Sequence, residues 1–340
     1  MAEGGSRVST DIDYERDGKQ VSYLAVPHSR DASAWGALMV PIICVRNGDG
    51  PTVLFIGANH GDEYEGPVSL LKLGRELDPD AVRGRVIIVP ALNLPALVAG
   101  RRLSPIDGKN MNRVFPGERD GTITPVIAHY VSSALLPRAD VVVDIHSGGS
   151  SLVFMPAVVM HHLEDRAQMD KTLAALEAFG APLGLVLREL DPAGMLDTAV
   201  EEAGKIFLST ELGGGGGMTP TSVEIADTGV RNLLRHFGVI EGDIVAPEER
   251  GRAPTRLMET PDGASFVMAP EDGLYEPFVE VGEPVEAGGA LGQLHFVATP
   301  ERPPVAVVAR RSGLLVCRRA RGHAEQGDSL AVVAGDYAAR

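Results

Sequence analysis

Residues 51–63 read Pro-Thr-Val-Leu-Phe-Ile-Gly-Ala-Asn-His-Gly-Asp-Glu, and this stretch sets the fold class. Val53, Leu54, Phe55 and Ile56 form a continuous apolar run between Pro51 and Gly57, without the alternation of a half-solvated strand. Such a run predicts a short strand covered on both faces. Apolar residues at helical spacing follow, at Val68, Leu70, Leu71, Leu73 and Leu77. The buried-strand pattern returns at Arg85–Pro90 (RVIIVP), Ala139–Ile145 (ADVVVDI) and Gly204–Thr210 (GKIFLST). Helical stretches at Thr124–Leu136 and Asp165–Gly180 lie between them, and Val21–Val26 and Ala37–Val45 read as strands upstream. Strand alternating with helix predicts an α/β domain, with a mixed, mostly parallel sheet sandwiched by helices. In such sheets the ligand site lies at the carboxyl ends of the strands.

Beyond about residue 240 the texture changes. Glu241–Thr255 is charged and contains Pro247 and Pro254, the composition of a linker. A catalytic domain is therefore expected over 1–245 and a small all-β domain over 246–340. Short β-like runs fill the latter, at Ala264–Met268, Phe278–Val281, Ala290–Phe296, Val305–Val308, Leu314–Arg318 and Ser329–Val333. The phrases EVGEPVEAGGALGQL (280–294) and GHAEQGDSLAVV (322–333) resemble successive turns of a lipoyl-type β-hammerhead. No lysine follows Lys205, so a lipoate or biotin carrier is excluded and the domain is scaffold, lid or interface. Single-copy β-domains of this kind often make dimer contacts, and a homodimer is one expectation.

Charge narrows the partners. Against 31 Lys and Arg the 340 residues carry 46 Asp and Glu, a formal net charge of −15. No basic stripe is present to meet phosphates, so nucleic acid is not an expected partner. No apolar stretch is long enough for a membrane span, and residues 1–20 lack the apolar core of a secretory leader. A cytoplasmic enzyme acting on a small molecule fits these facts. Cys44 and Cys317 are far apart inside apolar runs and read as buried free thiols.

Three strand ends carry reactive side chains. His60 and Glu63 stand three apart at the turn from strand to helix, which brings imidazole and carboxylate to one side. The next relevant strand ends Asp144-Ile-His146, and another ends Ser209-Thr-Glu211 ahead of Leu212 and five glycines. Two histidines and one carboxylate are the ligand set of a catalytic zinc site that keeps a position open for water, with Glu211 left as a base. Asp144 shares a strand face with His146 and orients a ligand or meets substrate. Gly213–Gly217 lets backbone approach a substrate closely, or is a flexible linker. Between the motifs, Leu94–Gly117 (LPALVAGRRLSPIDGKNMNRVFPG) has few features of regular structure, and long loops inside compact domains are usually functional.

The ordered set HGDE, DGKNMNR-x-FPG, DIH and TELGG resembles the succinylglutamate desuccinylase/aspartoacylase family, of the wider zinc carboxypeptidase fold, over about residues 50–240. The resemblance implies one zinc ion held by His60, Glu63 and His146, with Glu211 as general base. It implies that Asn112 and Arg113 hold the substrate carboxylate, and that an upstream arginine polarises the scissile carbonyl. That segment is longer here, so Arg102 is the match and Arg101 stays open. The forms GANHGDEYEGP and RRLSPIDGKNMNRVFPG are most similar to the deacetylases of ectoine breakdown, which act on Nα-acetyl-L-2,4-diaminobutyrate. An ammonium on such a substrate needs an acidic partner, for which Asp62, Asp191 and Asp197 are candidates. Tyr275 is a candidate for the entrance. Aspartoacylase or desuccinylase activity, a zinc carboxypeptidase, and a non-catalytic binding protein of the same fold are the competing readings.

Overall fold

The computed structural model describes residues 5–188 and 193–338. A long antiparallel hairpin, β1 (Gly18–Pro27) and β2 (Ala37–Asn47), opens the chain. Then come β3 (Thr52–Gly57), α1 (Glu65–Glu76), β4 (Gly84–Val89), α2 (Leu94–Ala99), α3 (Ile123–Tyr130) and β5 (Val141–Ile145). The strands β6 (Leu152–Phe154) and β7 (Ala157–His161) precede α4 (Arg166–Phe179) and β8 (Leu183–Leu187). Next are α5 (Leu196–Glu202), β9 (Ile206–Glu211), α6 (Pro220–His236) and β10 (Arg256–Thr260). The main sheet runs β1-β2-β4-β3-β5-β9-β7-β8-β10. Its β4–β3, β3–β5, β5–β9, β7–β8 and β8–β10 pairs are parallel, whereas β1–β2, β2–β4 and β9–β7 are antiparallel. This is the mixed, mostly parallel sheet that the apolar runs predicted.

Alternation along the strands assigns the two faces. Val53, Phe55, Val86, Ile88, Val141 and Val143 pack against Leu70 and Leu73 of α1, Leu176 and Phe179 of α4, and Val230 and Leu233 of α6. Leu54, Ile56, Ile87, Val89 and Val142 face the other way, onto Val126 and Ile127 of α3 and Leu196 and Val200 of α5. Each fully buried Leu, Ile or Phe contributes roughly 2 kcal/mol, so both helical layers are held mainly by this burial.

The chain then builds β11 (Phe266–Met268), β12 (Gly273–Pro277), β13 (Pro284–Val285), β14 (Ala290–His295), β15 (Val305–Val308), β16 (Gly313–Arg319), β17 (His323–Ala324) and β18 (Ser329–Asp336). The two phrases likened to successive turns of a β-hammerhead take similar local structure. Each gives a two-residue strand, a turn and a longer strand: β13 to β14, and β17 to β18. A small separate sheet forms from β15, β14, β12 and β17. β18 pairs antiparallel with β10, and the main sheet thereby continues through β18 and β16 to β13. An apolar cluster of Val159, Leu185, Met258, Val316, Cys317 and Val332 fills that junction.

Several expectations are corrected. Phe278–Val281 is not a strand; the neighbouring Gly273–Pro277 pairs instead, because its backbone finds β14 and β17. The stretch from Leu94 is not loop throughout, since Pro95 at the helix start and left-handed Gly100 at its end delimit α2. Tyr275 lies in the core of the small sheet with its hydroxyl on the Leu291 carbonyl, away from any entrance. Gly214 has a positive φ of 133° and packs on the backbone of Leu152 and Gly148, so this glycine serves chain-to-chain packing, not a free linker.

The turn after β3 is held under strain. Ala58 has φ 51°, an uncommon value for a residue with a Cβ, and its carbonyl is fixed by the Asn93 N–H at 2.9 Å. Gly61 donates its N–H to the Arg101 carbonyl, and a Cβ there would lie 1.9 Å from the Ala96 carbonyl carbon. Gly61→Ala is therefore expected to destabilise the fold by about 2 kcal/mol, read as a lower urea midpoint at unchanged slope. A midpoint equal to wild type would refute that packing account.

Candidate metal centre

His60, Glu63 and His146 are all buried, and a ligand atom from each lies within 4.8 Å of the others. This group could hold a metal ion. The β3–α1 turn carries the first two and the end of β5 carries the third. Parallel pairing of β3 with β5, with Gly57 opposite Ile145, brings the two ends together. The His146 main chain is tied to β9 through Thr210, whose hydroxyl accepts the His146 N–H and donates to the His146 carbonyl.

Hydrogen bonds from behind set the rings. His60 Nε2 lies 3.1 Å from Asn110 Oδ1, an oxygen that also accepts the Asn112 N–H. His146 Nε2 lies 2.8 Å from Asp144 Oδ2, which also accepts from Asn59 Nδ2. Both Nε2 atoms must donate. The Nδ1 atoms then face Glu63, each 2.8 Å from one of its oxygens. Burial lowers the His60 pKa, which favours the neutral ring, whose Nδ1 lone pair then faces a Glu63 oxygen with only the Arg102 Nη, 3.2 Å from Nδ1, as a donor beside it. A cation between the three removes this conflict, and two imidazoles with a carboxylate suit zinc. Burial works against charging His146 as well, but Asp144 and Glu63 outweigh it and raise its pKa well above the usual range. The same negative potential attracts a metal ion. Burial pushes Glu63 up, and the two imidazoles overcome it and hold its carboxyl below the ordinary range.

A cavity of about 190 Å³ opens beside the three residues. All seven side chains named from the sequence line it: His60, Glu63, Arg102, Asn112, Arg113, His146 and Glu211. Arg102 reaches inward, with an Nη 3.2 Å from His60 Nδ1, whereas Arg101 offers its carbonyl to Gly61. Arg113 is exposed at the rim and donates to the Asn112 carbonyl. Asn112 is buried and its Oδ1 accepts the Leu196 N–H at 2.9 Å. Glu211 has one buried oxygen without a hydrogen-bond partner. Burial, then the charge of Glu63, pushes its pKa up to about 8, the range a general base needs near neutral pH.

Sequence reasoning missed other lining groups. Phe154, Val159, Leu185, Leu187, Met195 and Phe207 make an apolar floor, and Phe266 and Val332 form a wall from the β-rich tail. Ser209 faces the cavity too, as does His161, which is paired with Glu201 at 3.0 Å. Ser209 could have been found, since it shares a strand face with Glu211. Of the acidic candidates, Asp62 is turned away to accept the Ser150 N–H, Asp191 lies outside the described residues, and Asp197 is in the cavity.

The catalytic-domain model for succinylglutamate desuccinylase and aspartoacylase matches residues 49–237. The chain belongs to the succinylglutamate desuccinylase/aspartoacylase family. It is 45% identical over 329 residues to an N-alpha-acetyl-L-2,4-diaminobutyric acid deacetylase of Halomonas elongata, covering 97% of this chain and 95% of that protein. The product-bound structure of the ectoine utilization protein EutE (DoeB) from Ruegeria pomeroyi superposes with a TM-score of 0.93, at 46% identity over 97% of this chain and 99% of that one. A succinylglutamate desuccinylase/aspartoacylase structure from Rhodobacter sphaeroides gives 0.94 at 44% identity, over 98% and 100%. This chain is accordingly a hydrolytic enzyme of that fold, and among its described residues no helix is long and apolar enough to cross a membrane.

Two outcomes follow from the geometry. Asp144→Asn is expected to weaken Zn2+ binding roughly 10- to 100-fold in competition with a chromophoric chelator; unchanged affinity would show that the Asp144–His146 contact has no part in metal binding. The second concerns the metal-free protein. Glu211 holds its proton more firmly folded than unfolded, so its contribution to stability is complete below the ordinary carboxylate range and is lost as pH rises through about 8. Glu211→Gln removes that loss, and the melting temperature of the variant should rise relative to wild type between about pH 5 and about pH 9. A gap independent of pH would contradict the raised pKa.

Proposed function

We propose that this chain is a zinc-dependent amidohydrolase that removes the acetyl group from Nα-acetyl-L-2,4-diaminobutyrate. The observation that carries the reading is one small cavity containing the His60–Glu63–His146 cluster, a carboxyl of raised pKa at Glu211, and two rim arginines. The likeness to the Halomonas deacetylase supports the substrate.

His60, Glu63 and His146 would hold the zinc ion, which when bound acidifies water and polarises the acyl carbonyl. Glu211 takes the proton from the attacking water and passes it to the leaving amine. Its unpartnered oxygen is free for that hydrogen bond. Arg102 meets the developing oxyanion, a donor role worth roughly 3 kcal/mol in comparable sites. Arg113, with the Asn112 amide, grips the α-carboxylate, where the planar guanidinium offers paired hydrogen bonds. The apolar floor accepts the acetyl methyl and excludes water.

A peptidase reading fits less well. The cavity of about 190 Å³ is walled by Phe266 and Val332 and leaves little space for a polypeptide. A panel of Nα-acyl amino acids and short peptides, with zinc stoichiometry measured in parallel, tests the proposal. Acetate release from acetyl-diaminobutyrate is expected, and peptides should be inert. Glu211→Gln should retain zinc while kcat falls about 10²- to 10⁴-fold. Full turnover in that variant, or a wild-type protein that stays inactive on the whole panel after zinc is added, would sink the assignment.

A further inference from the structure

One buried carboxylate in the cavity is not used by the hydrolysis. Asp197, only 7% exposed, stands at the start of α5 beside the apolar floor. Its Oδ1 accepts from the Thr198 N–H and hydroxyl. Its Oδ2 has no hydrogen-bond partner among the described residues, and no described Lys or Arg makes an ion pair with it. His161 is nearby, but its Nδ1 is engaged by Glu201. A largely buried carboxylate with only a nearby imidazole and no Lys or Arg to pair with is costly, and such groups normally have a full partner. Burial accordingly pushes the Asp197 carboxyl above its ordinary pKa, with His161 and the Thr198 N–H acting in the other direction.

The segment carrying Asp197 is bonded to the loop that carries the rim arginine. Asn112 Oδ1 accepts the Leu196 N–H at 2.9 Å, and the Phe115 N–H reaches the Gly194 carbonyl at 2.9 Å. Gly194 lies so close that a Cβ there would be 2.6 Å from the Arg113 carbonyl oxygen. A cationic group at Arg113 and an anionic group at Asp197 are therefore held on one braced unit. A ligand with a carboxylate and an ammonium on a short side chain presents the complementary pair.

We infer that Asp197 is the specificity-determining residue that receives the side-chain ammonium of an Nα-acyl diamino acid. This rests on the amidohydrolase reading above and adds a reason for selectivity. A neutral side chain leaves Asp197 without its partner, and an acidic one meets like charge, so the site turns away the acyl-aspartate type of substrate. Asp62 also has one oxygen on a backbone N–H and one unpartnered, but it is not among the residues that line the cavity, whereas Asp197 is.

The test uses Asp197→Asn in the zinc-loaded protein, since the amide oxygen can still accept from Thr198. On Nα-acetyl-L-2,4-diaminobutyrate kcat/KM should fall about 100-fold. On Nα-acetyl-L-2-aminobutyrate, which lacks only the amino group, it should change less than about threefold, and the selectivity ratio should collapse accordingly. Equal losses on both substrates would reduce Asp197 to a structural cap, and full activity on the diamine would overturn the inference. Calorimetric binding of L-2,4-diaminobutyrate and L-2-aminobutyrate supplies a readout that needs no turnover. Wild type should prefer the diamine and the variant should not; equal binding of the two by wild type refutes the inference. Wild type that hydrolyses no acyl amino acid but keeps this preference would instead refute the catalytic reading alone.

Discussion

The Glu63 carboxylate is buried between the Nδ1 atoms of His60 and His146, 2.8 Å from each. An isolated ion in such surroundings destabilises a protein by several kcal/mol, so the site persists only if opposite charge and donors converge on it. The Ser147 N–H donates to Glu63, and Arg102 lies 3.5 Å away. Asn110, Asp144 and Asn59 hold the rings from the far side. These groups come from a loop, a strand and a turn. Only adjacency of β3 and β5, with α1 close against them, brings all of them within reach. Gly66 makes that approach possible, since a Cβ there would lie 2.8 Å from the Ile145 carbonyl oxygen.

The cavity beside this cluster depends on the mixed sheet. Antiparallel pairing of β7 with β9, then parallel pairing with β8, places Val159 and His161, Leu185 and Leu187, and Phe207, Ser209 and Glu211 along one surface. On each strand these are alternate residues, as a two-residue period requires. Continuation of the sheet into β18 adds Val332, and its partner β11 adds Phe266. The β-rich tail is thus a wall of the cavity beside the His60–Glu63–His146 cluster, and the size of that cavity follows from the same backbone pairing that attaches it.

What was legible in the sequence follows from this construction. His60 and Glu63 share one turn, and Asp144 and His146 share one strand end, so contiguous residues announced both halves of the cluster. Continuous apolar runs announced β3, β4, β5 and β9 for the same local reason. β7 and β8 were missed although Pro156 and Gly180-Ala-Pro182 punctuate their starts; their apolar stretches, Ala157–Met160 and Leu183–Leu187, are short, and the second is interrupted by Gly184. Asn110 was missed although it lies in the quoted loop, because its function depends on the angle of the His60 ring. Phe266 and Val332 reach the cavity through pairing with distant strands, which no spacing rule encodes. Asp197 could be named as an acidic candidate. Its selection required seeing that Asp197 lines the cavity while Asp62 does not, and that the Asn112–Leu196 bond is in place.

The charges at the cavity rim oppose the charge of the whole chain. The protein carries a formal net charge of −15, yet the exposed rim is formed by Arg102 and Arg113. Its carboxylates, Glu63, Glu211 and Asp197, lie within. Low-dielectric walls focus such local fields, so the rim can attract an anionic group despite the global charge. The order also matters. A carboxylate retained at a solvated rim keeps part of its hydration, whereas an ammonium moved inward loses it and needs a full counter-charge. Exposed guanidinium and buried carboxylate are the arrangement that treats those two needs separately. Asn112 joins them: one oxygen on the Leu196 N–H fixes the interior segment, and its own backbone carbonyl fixes Arg113. A single short loop thereby sets the rim arginine and the interior carboxylate relative to the His60–Glu63–His146 cluster positioned by the sheet.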